Sequence, residues 1–458
     1  MRLLSFFGFA FAILFLSNSC FCSDVSPLVV QLSTEQQSFP LFLADFDGEH
    51  SNFDANYIQQ LEKILQFDLS QSGYVHLLSH NTERSQLASQ SINVLGNANR
   101  WKVLNALYVV KVQLNNKQMR AFTLDIDSNS LKTLDGFTLT GNLNQDRQQV
   151  HLLADGLIKK FFGFQGIAST HFLYTRKYKN NDNKWLSEIW ECDYDGANPK
   201  KIINDEGGYC VTPVYMPPKP GHKTNSFFYV SYKIGQPKIY MAGLTNDKMQ
   251  RLTSLRGNQL MPAVAPKRNK IAFISDITGN PDLFLQDFSP ETGPIGKPRQ
   301  IFTCRQATQG SPAFSPDGYR IAFVSNKDGS PRIYLIDIPP PEAKLQEIKA
   351  QLITRVNRES SAPCWSPDGT KLAFCARNGG IRQIWIYDFE SDEEWQLTQG
   401  PDNKENPSWA PNSLHIIYNT TTVGKAELYM INLNSRQSTK IEGQLSGEKR
   451  FPAWEPKA

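Results

Sequence analysis

Short apolar–polar alternations fill the second two thirds of the chain, and they recur in a set order. Six segments begin with a residue followed by proline and then a short, mostly apolar run. They are "TPVYMPP" (212–218), "MPAVAPKRNKIAFIS" (261–275), "SPAFSPDGYRIAFVS" (311–325), "APCWSPDGTKLAFCA" (362–376), "NPSWAPNSLHIIYNT" (406–420) and "FPAWEPKA" (451–458). Their first prolines, Pro213, Pro262, Pro312, Pro363, Pro407 and Pro452, stand 49, 50, 51, 44 and 45 residues apart. A second pattern follows each unit's turn: "EIWECDY" (188–194), "KIYMAGL" (238–244), "DLFLQDF" (282–288), "RIYLIDI" (332–338), "QIWIYDF" (383–389) and "ELYMINL" (427–433).

Each unit reads as four strands. In the fourth, Pro312–Ser315 opens, Pro316-Asp317-Gly318 turns the chain, and residues 320–325, 332–338 and 350–355 are strands two to four. Proline presets φ in such a turn and glycine accepts a positive φ. A period near 50 residues with four strand signals predicts a propeller rather than a helical solenoid. The first unit, from Gly166, begins with a second-strand pattern, "THFLYTR" (170–176), and its missing first strand is the orphan "FPAWEP" (451–456). The expectation is an all-β six-bladed β-propeller over 166–458, closed by the C-terminal strand so that no sheet edge is left open. "PPPEAKLQEIKA" (339–350) is expected to be an inserted loop with a helical turn between strands three and four.

Residues 23–165 do not repeat and read as an α/β N-terminal domain. "FPLFLADF" (39–46) is a buried strand and 74–79 another, while 107–115 and 118–127 form a hairpin around Asn116 and Lys117. Residues 54–73 are a helix with Asp54 as N-cap, a stripe of Ile58, Leu61, Ile64, Leu65 and Leu69, and Gly73 as its stop. Residues 146–163 are a second helix, with Val150, Leu153, Leu157 and Phe161 on one side, Lys159 and Lys160 suiting its C-terminal dipole, and Gly163 ending it. The two domains meet almost without a linker, which predicts a shared interface. Segment 23–37 is either an ordinary edge strand or a strand that pairs with a partner by β-augmentation.

At the start, Arg2 followed by the apolar run Leu3 to Leu16 reads as a secretory signal peptide, residues 1–22, cleaved after Cys22 or after Ser19. Lipidation of Cys20 is disfavoured because Ser17, not leucine, precedes it by three. An exported location permits disulfides without requiring them. The five remaining cysteines, Cys192, Cys210, Cys304, Cys364 and Cys375, leave at least one thiol unpaired. Spacing allows Cys192–Cys210 or Cys364–Cys375. A formal net charge of +4, from 48 basic and 44 acidic residues, is too small for a nucleic-acid footprint.

The chain carries no signature of catalysis. No glycine is followed two residues later by serine, which excludes the Gly-x-Ser-x-Gly nucleophile elbow of propeller-bearing peptidases. His76 and His80 lie four apart in a strand-like stretch without the Glu of His-Glu-x-x-His. Asp317 and Asp368 precede glycine and read as turn residues. No cofactor, metal ligand set or catalytic residue is assigned. The candidate site is instead the ring of lead-ins to the innermost strands, which line one mouth of a propeller: Cys210–Thr212, Asn258–Met261, Gln309–Ser311, Glu359–Ala362, Lys404–Asn406 and Lys449–Phe451. Within it the candidate partner-binding residues are Thr212, Asn258, Gln259, Leu260, Met261, Gln309, Gly310, Ser311, Glu359, Ser360, Ser361, Glu405, Asn406, Arg450 and Phe451.

The repeat phrases, the junction "VHLLADGLIKKFFGFQGIASTHFLYTR" (150–176), the helix-to-strand step "LEKILQFDLSQSGYVHLL" (61–78) and the closing "FPAWEP" resemble the TolB family of the Tol–Pal system of Gram-negative bacteria. The resemblance covers essentially the whole mature chain. It implies a monomeric, non-enzymatic periplasmic scaffold that supports outer-membrane integrity and cell division. It also implies binding of the lipoprotein Pal at the propeller mouth and of TolA through the N-terminal domain and segment. Other outer-membrane or peptidoglycan-associated proteins are further candidate partners. Two departures stand out. The family often presents a histidine in the lead-in to blade three, whereas no lead-in here has one, and Pro27 interrupts the stretch that would pair with TolA. The alternative function is an exported propeller enzyme or glycan-binding module acting on peptidoglycan.

Overall fold

A computed structural model describes residues 38–90, 98–203, 208–245, 249–422, 425–443 and 445–457. The expected signal peptide and segment 23–37 lie outside the described residues. The front part is a six-stranded sheet with β1 (Phe39–Leu43) between β3 (Val75–Leu77) and β4 (Tyr108–Asn115), both parallel to it. The short β2 (Asp47–His50) also runs parallel to β4, while β5 (Gln118–Asp125) and β6 (Ser130–Thr138) continue antiparallel. Alternation along β1 sends Leu41 and Leu43 into the core beneath α1 (Ala55–Ser70) and α4 (Leu143–Phe162). Phe42 and Ala44 face the other side, with Trp101 and Leu87 from α3 (Ala98–Val103) and α2 (Thr82–Ser89).

The caps explain the helix limits. Asp54 accepts a hydrogen bond from the Tyr57 amide at 3.0 Å, and Gly163 ends α4 at φ +75°. The sequence did not predict α2, α3, β2 or β6. The α2 segment "TERSQLAS" buries only Leu87 and Ala88, too few for a visible stripe, and it starts on Asn81 accepting from the Arg84 amide at 2.7 Å.

Six four-stranded antiparallel sheets follow among the described residues. Blade 1 joins β30 (Glu448–Trp454), β7 (His171–Lys179), β8 (Trp185–Asp193) and β9 (Lys200–Lys201). Blade 2 is β10 (Cys210–Tyr215), β11 (Ser226–Ser231), β12 (Lys238–Gly243) and β13 (Met249–Arg251). Blade 3 is β14 (Gln259–Val264), β15 (Lys270–Ser275), β16 (Asp282–Ser289) and β17 (Gly293–Phe302). Blade 4 is β18 (Gln309–Phe314), β19 (Arg320–Ser325), β20 (Arg332–Asp337) and β21 (Gln351–Leu352), with a 3₁₀ turn at Leu345–Glu347 in the expected insertion. Blade 5 is β22 (Ser360–Trp365), β23 (Lys371–Asn378), β24 (Ile381–Asp388) and β25 (Glu393–Gln396). Blade 6 is β26 (Asn403–Trp409), β27 (His415–Thr421), β28 (Leu428–Asn432) and β29 (Ser438–Lys440).

The last strand closes the ring as expected: Trp454 pairs with Phe172, and its indole donates to the Thr170 hydroxyl at 2.8 Å. Asp317 is a turn residue; it accepts from the Ser315 hydroxyl at 2.5 Å and the Tyr319 amide at 2.9 Å, with Gly318 at φ +76°. Asp368 repeats the device with Ser366 and Thr370. Cys192, Cys304, Cys364 and Cys375 are free thiols, so neither spaced pair is bridged.

The front sheet and the propeller share one core. Val150, Leu153 and Leu157 of α4 belong to the same apolar cluster as Phe172, Tyr194, Ile417 and Trp454. Around it, the buried His415 donates from Nε2 to the Gln71 carbonyl at 2.8 Å, and Asn434 donates to the Gly73 carbonyl at 2.9 Å. Asp155 of α4 accepts from the Ala168 amide at 2.8 Å and lies 3.3 Å from Lys457.

Candidate functional site

Every innermost strand carries the same defect at the same place. The residue before each repeat proline has a left-handed backbone: Thr212 (φ +51°), Met261 (+54°), Ser311 (+44°), Ala362 (+49°), Asn406 (+55°) and Phe451 (+52°). At each, the pairing register slips, so that two residues of the inner strand oppose one of its neighbour, as between Val211 and Val214 or Gly310 and Ala313. Proline suits this position because it has no amide to offer the ladder. A non-glycine residue in this region costs about 1–2 kcal/mol, and a β-branched one such as Thr212 is rare there. At blades 4 and 1 the bulge aims the amide of the pre-proline residue at the preceding blade. The Ser311 amide points at the Met261 sulfur, 3.1 Å away. Asn419 Oδ1 takes hydrogen bonds from both the Asn406 side chain (2.9 Å) and the Phe451 amide (3.2 Å).

The lead-ins, save Asn258 and Glu359, are therefore strand, and the inner strands start earlier than the sequence reading placed them. β18 begins at Gln309, not at Pro312, and the candidate residues other than Asn258 and Glu359 form the first half of the inner strands. This divides the fifteen candidate residues. Gln259, Gln309 and Ser360 are buried; Gln259 donates to the Leu255 carbonyl at 2.9 Å, and Ser360 pairs by its amide with the Pro331 carbonyl at 2.8 Å. Their side chains belong to the framework. Asn258 is tied twice to Asp276, at 2.7 Å by both its amide and its side chain. Glu359 pairs with Arg377 at 3.0 Å, Glu405 with Arg382 at 2.5 Å, and Arg450 with Glu448 at 3.0 Å. Leu260, Gly310, Ser361, Thr212, Ser311, Asn406 and Phe451 are half-buried, and Met261 is exposed. The bulges thus bring these last residues to one end of the closed ring.

A second set of residues holds this rim, and sequence reasoning missed it. The first residue of each third-strand phrase is polar: Glu188, Lys238, Asp282, Arg332, Gln383 and Glu427. Lys238 is buried and donates to the Leu255 carbonyl at 2.9 Å and to the Gly257 carbonyl; burial pushes its ammonium down from the usual range. Gln383 donates to the Gly400 carbonyl at 2.8 Å, and Glu427 holds Lys449 at 3.0 Å. These three hold the chain that leads into the next inner strand, whereas Glu188 and Asp282 bond within their own blades, to Tyr178 and Lys201 and to Thr278 and Gln300. The signal was visible as a polar letter heading six mostly apolar phrases.

Away from the mouth, the domain joint buries a charged cluster. His151 of α4 is fully buried, with Nδ1 2.7 Å from Asp68 and Nε2 3.9 Å from Asp195, and Tyr194 donates to Asp68 at 2.6 Å. The carboxylates of Asp68 and Asp195 raise the His151 pKa against the effect of burial. His151, Asp193 and Asp195 are close enough to share a cation, but the Arg147 guanidinium already hydrogen-bonds Asp195 and lies 3.9 Å from Asp193. The cluster reads as a structural clasp between domains.

The comparisons with known proteins agree with this architecture. A family profile described as the TolB beta propeller domain matches residues 158–458, and one described as the TolB amino-terminal domain matches residues 30–127. The chain is similar to a TolB homolog of Protochlamydia amoebophila, with 52% identity over 84% of this chain and 82% of that protein. A TolB homolog of Chlamydia pneumoniae is 40% identical over 75% of this chain and 78% of its own length. In shape it resembles the crystal structure of TolB from Acinetobacter baumannii, with a TM-score of 0.72 and 22% identity over 92% of this chain and 97% of that one.

Proposed function

The chain belongs to the TolB family, and from that premise we propose that it is a non-enzymatic component of the Tol–Pal system that acts in the periplasm. It binds a Pal-type lipoprotein on the rim of the propeller and TolA through the N-terminal domain, and so supports outer-membrane integrity and cell division. The observation that carries this reading is the ring of six bulges. Six left-handed residues gathered at one end of the disc support a binding surface there, since backbone strain of this kind clusters at functional sites. The rim is polar with apolar members, as a wet protein interface is. Among the described residues no helix is long and apolar enough to cross a membrane.

The test is binding of the purified chain to the soluble domain of its cognate Pal-type lipoprotein, measured by calorimetry. Met261→Glu puts a charge on the exposed bulge residue of blade 3 and should weaken binding about tenfold or more. Absence of binding by the unaltered protein at micromolar concentration rules the reading out.

A further inference from the structure

The rim is not level. In blades 2, 3 and 4 the second strand ends opposite the first residue of the inner strand: Ser231 opposite Cys210, Ser275 opposite Gln259, and Ser325 opposite Gln309. In blade 1 the equivalent pair is Arg176 with Lys449, yet β7 and β8 stay paired for three further residues, to Lys179 opposite Trp185. At ~3.3 Å per residue the blade 1 hairpin stands about 10 Å above the rim of blades 2 to 4. Blades 5 and 6 extend less, by two residues to Asn378 and by one to Thr421.

The raised hairpin ends in an exposed aromatic. Trp185 is 46% accessible, and the ammonium groups of Lys177 and Lys179 lie over its ring at 4.4 and 5.3 Å from the centroid. Lys184 is exposed beside it, and Asp182 is the one acid between Arg176 and Leu186. An exposed indole flanked by two cations stiffens a hairpin and also pre-orders two long side chains, which lowers the entropy they would lose on meeting a partner.

We propose that this hairpin is the second half of the docking surface and receives an acidic face of the protein seated on the bulge ring. Trp185 is the apolar anchor, and Lys177 and Lys179 meet carboxylates on either side of it. The hairpin rises at the same end of the disc as the bulges, so a partner resting on the ring meets this wall at its side. The inference rests on the rim-binding reading above. It adds the chemistry of the partner, which must present acidic residues around an apolar patch where it overhangs blade 1.

The experiment compares unaltered protein, Trp185→Ala, the double variant Lys177→Gln/Lys179→Gln and Met261→Glu for binding the soluble domain of the cognate Pal-type lipoprotein, at 50 and 200 mM salt as roughly spaced points on the screening curve. Trp185→Ala should weaken binding about tenfold. The lysine variant should weaken it several-fold at the lower salt and flatten the salt dependence, with an unchanged urea midpoint. A hairpin that is only structural would lower the midpoint and leave the salt dependence intact, which overturns the proposal. If both hairpin variants bind like the unaltered protein while Met261→Glu fails, the proposal is wrong and the rim reading stands. If the unaltered protein does not bind, both fall together.

Discussion

His415→Gln tests whether the domain joint is as dry as its geometry implies. His415 begins β27 of blade 6, is fully buried, and donates from Nε2 to the carbonyl of Gln71, just past the end of α1. Burial lowers its pKa from 6.5 to about 4, because an imidazolium there would lose its water without gaining a carboxylate. In the unfolded chain the same group takes a proton below about 6.5. The unfolded state therefore binds more protons between these two values, and stability falls as pH drops from about 6.5 to about 4. The gap corresponds to about 3 kcal/mol by the time pH reaches 4. His151 and His171 act with the opposite sign: their pKa values are raised by neighbouring carboxylates, so their contribution is full below about 6.5 and is lost as pH rises through the folded values. Both are present in the variant and cancel in the difference. Glutamine can still donate to Gln71, so the variant should lose only about 1 kcal/mol at neutral pH. Urea unfolding followed by tryptophan fluorescence, at pH steps from 7 to 4, reads the stability difference between the two proteins. That difference should close and reverse with acid, by about 3 kcal/mol in total. Parallel curves, or an imidazole resonance of His415 titrating near its ordinary value, would refute the argument.

Two further expectations concern the backbone. Gly166 sits where the front domain hands over to the propeller, and a Cβ there would lie 2.2 Å from Asp155 Oδ1 and 2.7 Å from the Asp155 Cα. Because the second of these is backbone in a helix, Gly166→Ala should destabilise by about 2 kcal/mol or more, read as a fall in the urea midpoint; an unchanged midpoint means the joint is slack. At the rim, Ala362 holds φ +49° with only a methyl group to lose. Ala362→Gly should stabilise by about 0.5 kcal/mol, the left-handed penalty less the entropy that glycine adds to the unfolded chain; destabilisation by as much would show that the bulge is not strained.

Much of the architecture was legible because its signals are local. The repeat spacing, the Pro-Asp-Gly turns and the strand missing from the first unit specified six blades and their closure before any contact was known. The helix over Ala55–Ser70 announced itself by Asp54 and its stripe, and that over Leu143–Phe162 by its stripe and Gly163. The short helices Thr82–Ser89 and Ala98–Val103 did not, since each buries one or two apolar residues and is held by the sheet rather than by its own pattern. At the candidate site the sequence located the right stretches, immediately before each repeat proline, and misjudged their state. It could not tell that Gln259 turns inward and Met261 outward, because a bulge breaks the two-residue alternation on which such readings depend.

Periodicity and turn chemistry are written within a few residues of each other, so the chain by itself determined its repeat, its strands and the closure of its ring. What the tertiary structure alone decided joins residues far apart in sequence: His415 with Gln71, His151 with Asp68, and the bulge of blade 6 with that of blade 1. These contacts exist only once the ring has closed and the front sheet has docked on it. The burial that shifts a pKa belongs to that packing and to no single segment.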